Sequence, residues 1–161
     1  MNVFKIEACS SGGDYESALG VTRAYTDWLG VDLGFQNIDS ELENFSQVYG
    51  APEGFYLLAR SDQAIAGGVG LRGLDAAQGI AEMKRLFVYD GFKGLGLGEL
   101  LCKSLLERAR NLGYTRVRLD TLPVMGAAHS LYRKLGFHEI DPYCHNPVVG
   151  ARFLECKLDR N

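Results

Sequence analysis

The chain has 161 residues, enough for one ordinary domain with a real core and too few for two comfortable ones. Its apolar content of 47% and charged content of 23% suit a folded soluble domain, and a formal net charge of −3 argues against a general nucleic-acid binder, which draws its affinity from a basic surface. No stretch reaches the roughly eighteen uninterrupted apolar residues of a membrane helix, and the first residues, Met-Asn-Val-Phe-Lys-Ile-Glu, hold no apolar core followed by a small-residue cleavage site.

Residues 3–9 alternate well enough for a first strand, and Ser10-Ser-Gly-Gly-Asp14 signals a turn and a helix start. Ala18, Leu19, Thr22, Tyr25 and Leu29 approximate helical spacing over 15–29, with Gly30 as the stop. A connector over 31–38 leads to a second short helix, capped by Asp39 or Ser40 and running to about Tyr49. Pro52 and Gly54 break that pattern before a strand over 55–60, a turn at Ser61-Asp62 and a returning strand over 63–74. Gly67, Gly68 and Gly70 weaken a strand, so a bulge or a close packing partner is expected there. Residues 80–89 form the next strand. The clearest helix covers 97–112: Leu101, Leu105, Ala109 and Leu112 share a face, Glu99 and Lys103 make an i,i+4 pair, and Gly113 ends it. A strand over 115–120, a helix over 126–134 entered through Pro123, a turn at Gly136-Phe137 into another strand, and a last strand over 150–158 complete the chain. With no internal repeat or linker, this order predicts one α/β domain over 1–161 with a mixed central sheet.

Cys9, Cys102, Cys144 and Cys156 show no C-x-x-C spacing, and His129, His138 and His145 are not spaced with them as metal ligands. Reduced thiols, no metal and a cytoplasmic setting are the expectation.

The most informative segment is Lys93-Gly94-Leu95-Gly96-Leu97-Gly98-Glu99, where a β-branched and aromatic strand ends and a helix begins at once. Glycine permits a tight path and close approach of a bulky anion, and the helix start offers unpaired N–H groups and a positive dipole end. Lys93 adds a full charge, so the loop reads as a pyrophosphate site. A triphosphatase loop needs Lys-Ser/Thr after its last glycine, and Glu99 follows Gly98 instead. A dinucleotide fingerprint is a nearer rival, because Asp120 ends the next strand about twenty residues on and would face a ribose. Its third glycine, however, is replaced by Glu99.

The spacing also matches Gln/Arg-x-x-Gly-x-Gly/Ala, the coenzyme A loop of the GNAT superfamily of N-acetyltransferases, with Lys93 in the basic position. Upstream, Glu82-Met-Lys-Arg-Leu-Phe-Val88 resembles that family's central strand, whose backbone runs beside the pantetheine arm. Downstream, Ala128-His-Ser-Leu-Tyr132-Arg-Lys-Leu-Gly136-Phe137 resembles its A-x-x-L-Y-x-x-L-G-F segment. The resemblance covers about residues 80–140. It implies a GNAT-like domain, a mostly antiparallel mixed sheet flanked by about four helices, and acetyl-coenzyme A as co-substrate. Leu86, Phe87, Val88, Lys93, Gly94, Leu95, Gly96, Leu97 and Gly98 would hold that cofactor. An asparagine common in the family falls at Met125 here.

Acetyl transfer to an amine must first deprotonate it. With an alkylammonium pKa of about 10.4, roughly one molecule in a few thousand is nucleophilic at neutral pH, a deficit worth about 4 kcal/mol. The resemblance makes Glu82, eleven residues before Lys93, the candidate base, and Tyr132 the candidate proton donor to the sulfur. The other reading of Glu82 is a strand residue paired with Lys84 on the same face unless a bulge separates them, and the other reading of Tyr132 is core. Tyr25, Trp28, Phe35 and Gln36 on one side and Tyr143-Cys-His145-Asn146-Pro147 on the other are the expected walls of an acceptor cleft. The acceptor itself, a small-molecule or peptide amine, is not specified, and homodimers are frequent in the family. A non-catalytic acyl-coenzyme A sensor and, further off, a dinucleotide-dependent oxidoreductase are the alternatives.

Overall fold

The computed structural model describes residues 3–62 and 64–159, so Gln63, placed at the start of the returning strand, lies outside them. The order is β1 (Phe4–Ala8), α1 (Gly12–Leu29), α2 (Ile38–Glu43), α3 (Phe45–Val48), β2 (Phe55–Ser61), β3 (Ala64–Asp75), β4 (Ile80–Val88), α4 (Leu97–Asn111), β5 (Arg116–Thr121), α5 (Gly126–Lys134), β6 (His138–Glu139) and β7 (Arg152–Lys157). The expected second helix is broken in two at Asn44, whose side chain bonds back to the Ser40 carbonyl instead of projecting from a continuous helix. Helix α1 opens on a capping box: the Ser11 hydroxyl accepts from the Asp14 N–H at 3.2 Å, and the Asp14 carboxylate accepts from the Ser11 N–H at 3.2 Å.

The sheet order is β1-β2-β3-β4-β5-β7-β6, antiparallel except for β4 against β5. Helix α4 covers one face, with Leu97, Leu101, Cys102, Leu105 and Ala109 packed on Leu57, Val69, Leu71, Met83 and Leu119. Each of those buried leucines stabilises the fold by on the order of 2 kcal/mol. Ala18 and Val21 of α1, together with Phe45 and Tyr49, cover the other face over Tyr56 and Leu58. The strand glycines have the packing role expected of them. A Cβ on Gly70 would lie 2.5 Å from the Tyr49 ring, and one on Gly68 2.6 Å from the Tyr56 ring.

Two irregularities in β4 position the site. Gly70 pairs with Lys84 and Gly68 with Phe87, so two residues, Arg85 and Leu86, oppose one on β3, and Arg85 takes φ 63°. Glu82, Lys84, Arg85 and Phe87 consequently look toward the α1–α3 side, while Met83, Leu86 and Val88 look toward α4. The bulge falls after Lys84, so it does not part Lys84 from Glu82. On the other edge, the parallel ladder with β5 stops at Glu82–Arg118. Beyond it the two strands separate, and the β4 edge from Met83 onward is unpaired on that side.

Candidate active site

The strand–loop–helix segment builds a groove of about 370 Å³. Leu86, Phe87 and Val88 of β4 form one wall, Ala128, Leu131 and Tyr132 of α5 face them, and Lys93, Gly94, Gly96, Leu97 and Gly98 close one end. Gly94 has φ 82° and Gly96 φ 78°, the left-handed region in which a Cβ is strained. Gly96 is also the N-cap of α4 and supplies no side-chain hydrogen bond, so the first-turn N–H groups of α4 stay free for a ligand. Lys93 sits at the mouth, 2.9 Å from Asp90 and 5.6 Å above the Trp28 ring. Leu95 differs from its neighbours: its side chain is exposed and forms no part of the groove wall, leaving its backbone as what it offers. Glu99, the residue awkward for a phosphate site, is drawn aside to Lys134 at 2.9 Å and Lys103 at 3.1 Å. Hydrogen bonds from those two lysines hold its carboxyl below the usual range.

Where β4 and β5 part, the groove runs into a narrow chamber lined by Lys84, Leu86, Asp120, Met125, Tyr132 and Asn146. Tyr132 belongs to the walls of both. Its ring packs on Phe137 at 5.6 Å, and its hydroxyl has no hydrogen-bond partner among the described residues. Burial first, then nearby acidic groups, push that phenol well above its ordinary pKa, so it is a proton carrier at neutral pH. Its ring is part of the core, and its hydroxyl stands at the wall shared by groove and chamber.

The far side of the chamber opens into a second cleft of about 300 Å³, which shares Gln36 and Lys84 with it and adds Arg72, Glu82, Asn37, Ser40 and His145. Glu82 is buried and fully engaged. Its Oε1 accepts from Arg72 Nε at 2.9 Å and Nη2 at 2.8 Å, and its Oε2 accepts from the Tyr143 hydroxyl at 2.6 Å. Lys84 Nζ lies 3.9 Å from Glu82 Oε2 and 3.5 Å from Asp120 Oδ1, bridging the two carboxylates. Asp120 Oδ2 accepts from Gln36 and Asn146, each at 3.0 Å. Beneath them Arg85 donates to both oxygens of Glu41, which also accepts from Tyr49. Burial opposes ionisation of Glu41, yet the Arg85 bonds and charge keep its carboxyl below the ordinary value.

Of the expected acceptor walls, Phe35, Gln36 and His145 do line the cleft, and Tyr143 fixes its floor. Trp28 does not. It lines the glycine-loop groove, because the last turn of α1 passes over Phe87 rather than over Glu82. Asp120, considered above for a ribose, lines the chamber and not the loop. Arg72 is a site residue that spacing did not single out: a regular hairpin counted back from Asp75–Ile80 would set it opposite Met83, and the irregularity between Gly73 and Asp75 brings it opposite Glu82 instead. The four cysteines are free, and no cluster of three metal-ligating side chains occurs among the described residues.

Comparison with known proteins bears on this geometry. The model of the acetyltransferase (GNAT) family matches residues 22–137, more than half of the chain. An uncharacterized N-acetyltransferase of Schizosaccharomyces pombe is 35% identical over 155 residues, covering 96% of this chain and 95% of its own. Among solved structures, a GNAT-family acetyltransferase from Staphylococcus aureus superposes with TM-score 0.79 at 22% identity, over 98% of this chain and 100% of its own. The PaiA N-acetyltransferase of Thermoplasma acidophilum, solved in complex with coenzyme A, gives TM-score 0.71 at 21% identity, over 96% and 99% of the two chains.

Proposed function

This chain belongs to the GNAT family of acetyltransferases, and we propose that it transfers an acetyl group from acetyl-coenzyme A to a primary amine of a small molecule or peptide by direct attack. The observation that carries this reading is the chamber, which joins the glycine-loop groove to the polar cleft with Tyr132 in the shared wall. Acetyl-coenzyme A supplies an activated thioester when bound. The loop glycines and the first turn of α4 receive the pyrophosphate, and the groove walls exclude water from the pantetheine arm. The unpaired edge of β4 offers N–H groups to the charge that develops on the thioester oxygen. As the amine nitrogen bonds to the acetyl carbon and the carbon–sulfur bond breaks, Tyr132 gives its proton to the departing sulfur.

Glu82 is the proposed base. Its Oε1 takes both Arg72 bonds, so the proton goes to Oε2, which accepts one bond from Tyr143 and keeps a second lone pair. One observation favours a second reading: Asp120 lies in the chamber with Tyr132, and its Oδ1 carries only the 3.5 Å contact to Lys84. The setting we assign is the cytoplasm, where four free thiols stay reduced.

Calorimetry with acetyl-coenzyme A and with NAD, followed by a thiol-release assay over amines, amino acids and peptides, tests the proposal. Binding of acetyl-coenzyme A with thiol release that depends on an added amine is expected. Binding without release would mark a sensor, and preference for NAD would restore the oxidoreductase.

A further inference from the structure

The cleft that receives the acceptor is balanced in charge but not in position. The charged side chains that line it and the chamber are Arg72 and Lys84 against Glu82 and Asp120, all nearly buried except Arg72, while Arg85 and Glu41 pair with each other beneath. Two cations and two anions leave no net charge. Their distribution is uneven: Asp120 belongs to the chamber, where transfer takes place, and Arg72 belongs to the outer cleft.

The hydrogen-bond inventory sharpens the asymmetry. In the outer cleft every carboxylate oxygen is engaged: Glu41 accepts three bonds from Arg85 and Tyr49, and Glu82 accepts from Arg72 and Tyr143. An ammonium arriving there would lose its water and find no anion in exchange, which is costly for a partly buried charge. Arg72 is different. Its side chain keeps 33% exposure, two of its nitrogens hold Glu82, and Nη1 has no partner among the described residues. Asn37 and Ser40 add neutral polar groups beside it. The outer end is thus built to receive an anion, for which a guanidinium with an open N–H edge is suited. At the inner end Oδ1 of Asp120 accepts no hydrogen bond and has only the Lys84 ammonium at 3.5 Å, so an arriving ammonium would share that oxygen with Lys84.

We propose that the acceptor is an amine that also carries a carboxylate, an amino acid or short peptide acid, bound with its ammonium toward Asp120 and its carboxylate on Arg72. Such a zwitterion matches the cleft end for end and leaves its zero net charge unchanged. Diamines and polyamines do not, because their second ammonium falls beside Arg72. The inference rests on the acetyltransferase reading and deepens it.

Matched acceptors test it in the thiol-release assay: amino acids and short peptides, each against its C-terminal amide, and a series of diamines. The amides have the less basic amine, which favours them at neutral pH, so a preference for the acids is not an effect of amine basicity. The acids should lead in kcat/KM by about 10- to 100-fold, the range of a hydrogen-bonded charge. In Arg72→Gln that ratio should fall toward one, mostly through a higher KM for the acids, and Arg72→Lys should retain part of it. A role for Arg72 confined to holding Glu82 would depress acid and amide alike and leave the ratio standing, and that result overturns the proposal. So does a wild-type enzyme that favours amides or diamines. If acetyl-coenzyme A binds but no amine of any series is acetylated, the acetyltransferase reading fails and the anchor falls with it, an outcome distinct from misplaced selectivity.

Discussion

The proposed cofactor groove and the proposed acceptor cleft meet at one chamber, yet they are made of different materials. The groove's anion end is backbone: two glycines with positive φ, an uncapped helix start and a short stretch of consecutive residues. The cleft is side chain, drawn from the α1–α2 connector, α2, β3, β4, β5 and the loop before β7, and held by ion pairs that span up to several tens of residues. A site made of backbone keeps its function through many substitutions and loses it when the path itself is spoiled. A site made of paired side chains keeps its shape and changes its chemistry one residue at a time.

The largest expected effect tests the backbone half. Gly96→Asp forces a side chain onto a left-handed residue and sets a negative charge at the start of α4, where an anion belongs. Acetyl-coenzyme A affinity should drop about 10³-fold by calorimetry while the circular dichroism spectrum is kept. Unchanged affinity would move the cofactor off the loop.

The next effect sorts the two carboxylates. Whichever of Glu82→Gln and Asp120→Asn removes the base should lower turnover by 10² to 10³, on the order expected for general-base catalysis. That variant should also recover as pH rises toward the amine pKa, where free amine is abundant without help. The other variant should show a smaller, nearly parallel rate–pH profile. Two parallel profiles would remove both carboxylates from proton transfer.

Tyr132→Phe should reduce turnover by about 10² and leave acetyl-coenzyme A affinity close to that of the parent, because only the hydroxyl is lost from a ring packed on Phe137. Near-normal turnover would return Tyr132 to a packing role alone.

The smallest effect probes the cleft's field. Burial first, then Asp120 and Glu82, push the Cys144 thiol up to about 11. A raised pKa means less thiolate at a given pH, so alkylation of Cys144 should be slow at pH 8 and accelerate toward pH 11. Asp120→Asn removes one of the charges responsible and should make Cys144 react faster at pH 8, as peptide mapping after iodoacetamide would register.

The same division explains what could be read from the chain before its structure. The loop, the long α4 helix and the Glu99–Lys103 pair are local in sequence and lie where their spacing puts them, except that Leu112, expected on the apolar face, falls past the helix end at Asn111 and is exposed. Trp28 shows the limit. Helical spacing places Tyr25 and Trp28 near one face, and both contact Phe87, but which cavity each enters depends on how α1 crosses β4. The Arg72–Glu82 and Tyr143–Glu82 contacts depend on hairpin register and on the return of the chain through β7, neither of which has a signature in residue type. The short helices near Asn44 failed as one helix for a simpler reason, a side chain that competes for its own backbone.

Arg85 gives the central strand a parity. With one extra residue opposite β3, the strand changes its odd–even assignment, so Leu86 and Val88 feed the groove side while Arg85 and Phe87 take the other. Replacing Arg85 changes a charge and leaves that count intact. Deleting it would remove the bulge and restore plain alternation opposite Val69, keeping Leu86 and Val88 on the α4 side and Phe87 on the other, and would leave Glu41 without its cation. The bulge thus sets a charged side chain beneath the cleft without disturbing the faces of the residues before and after it.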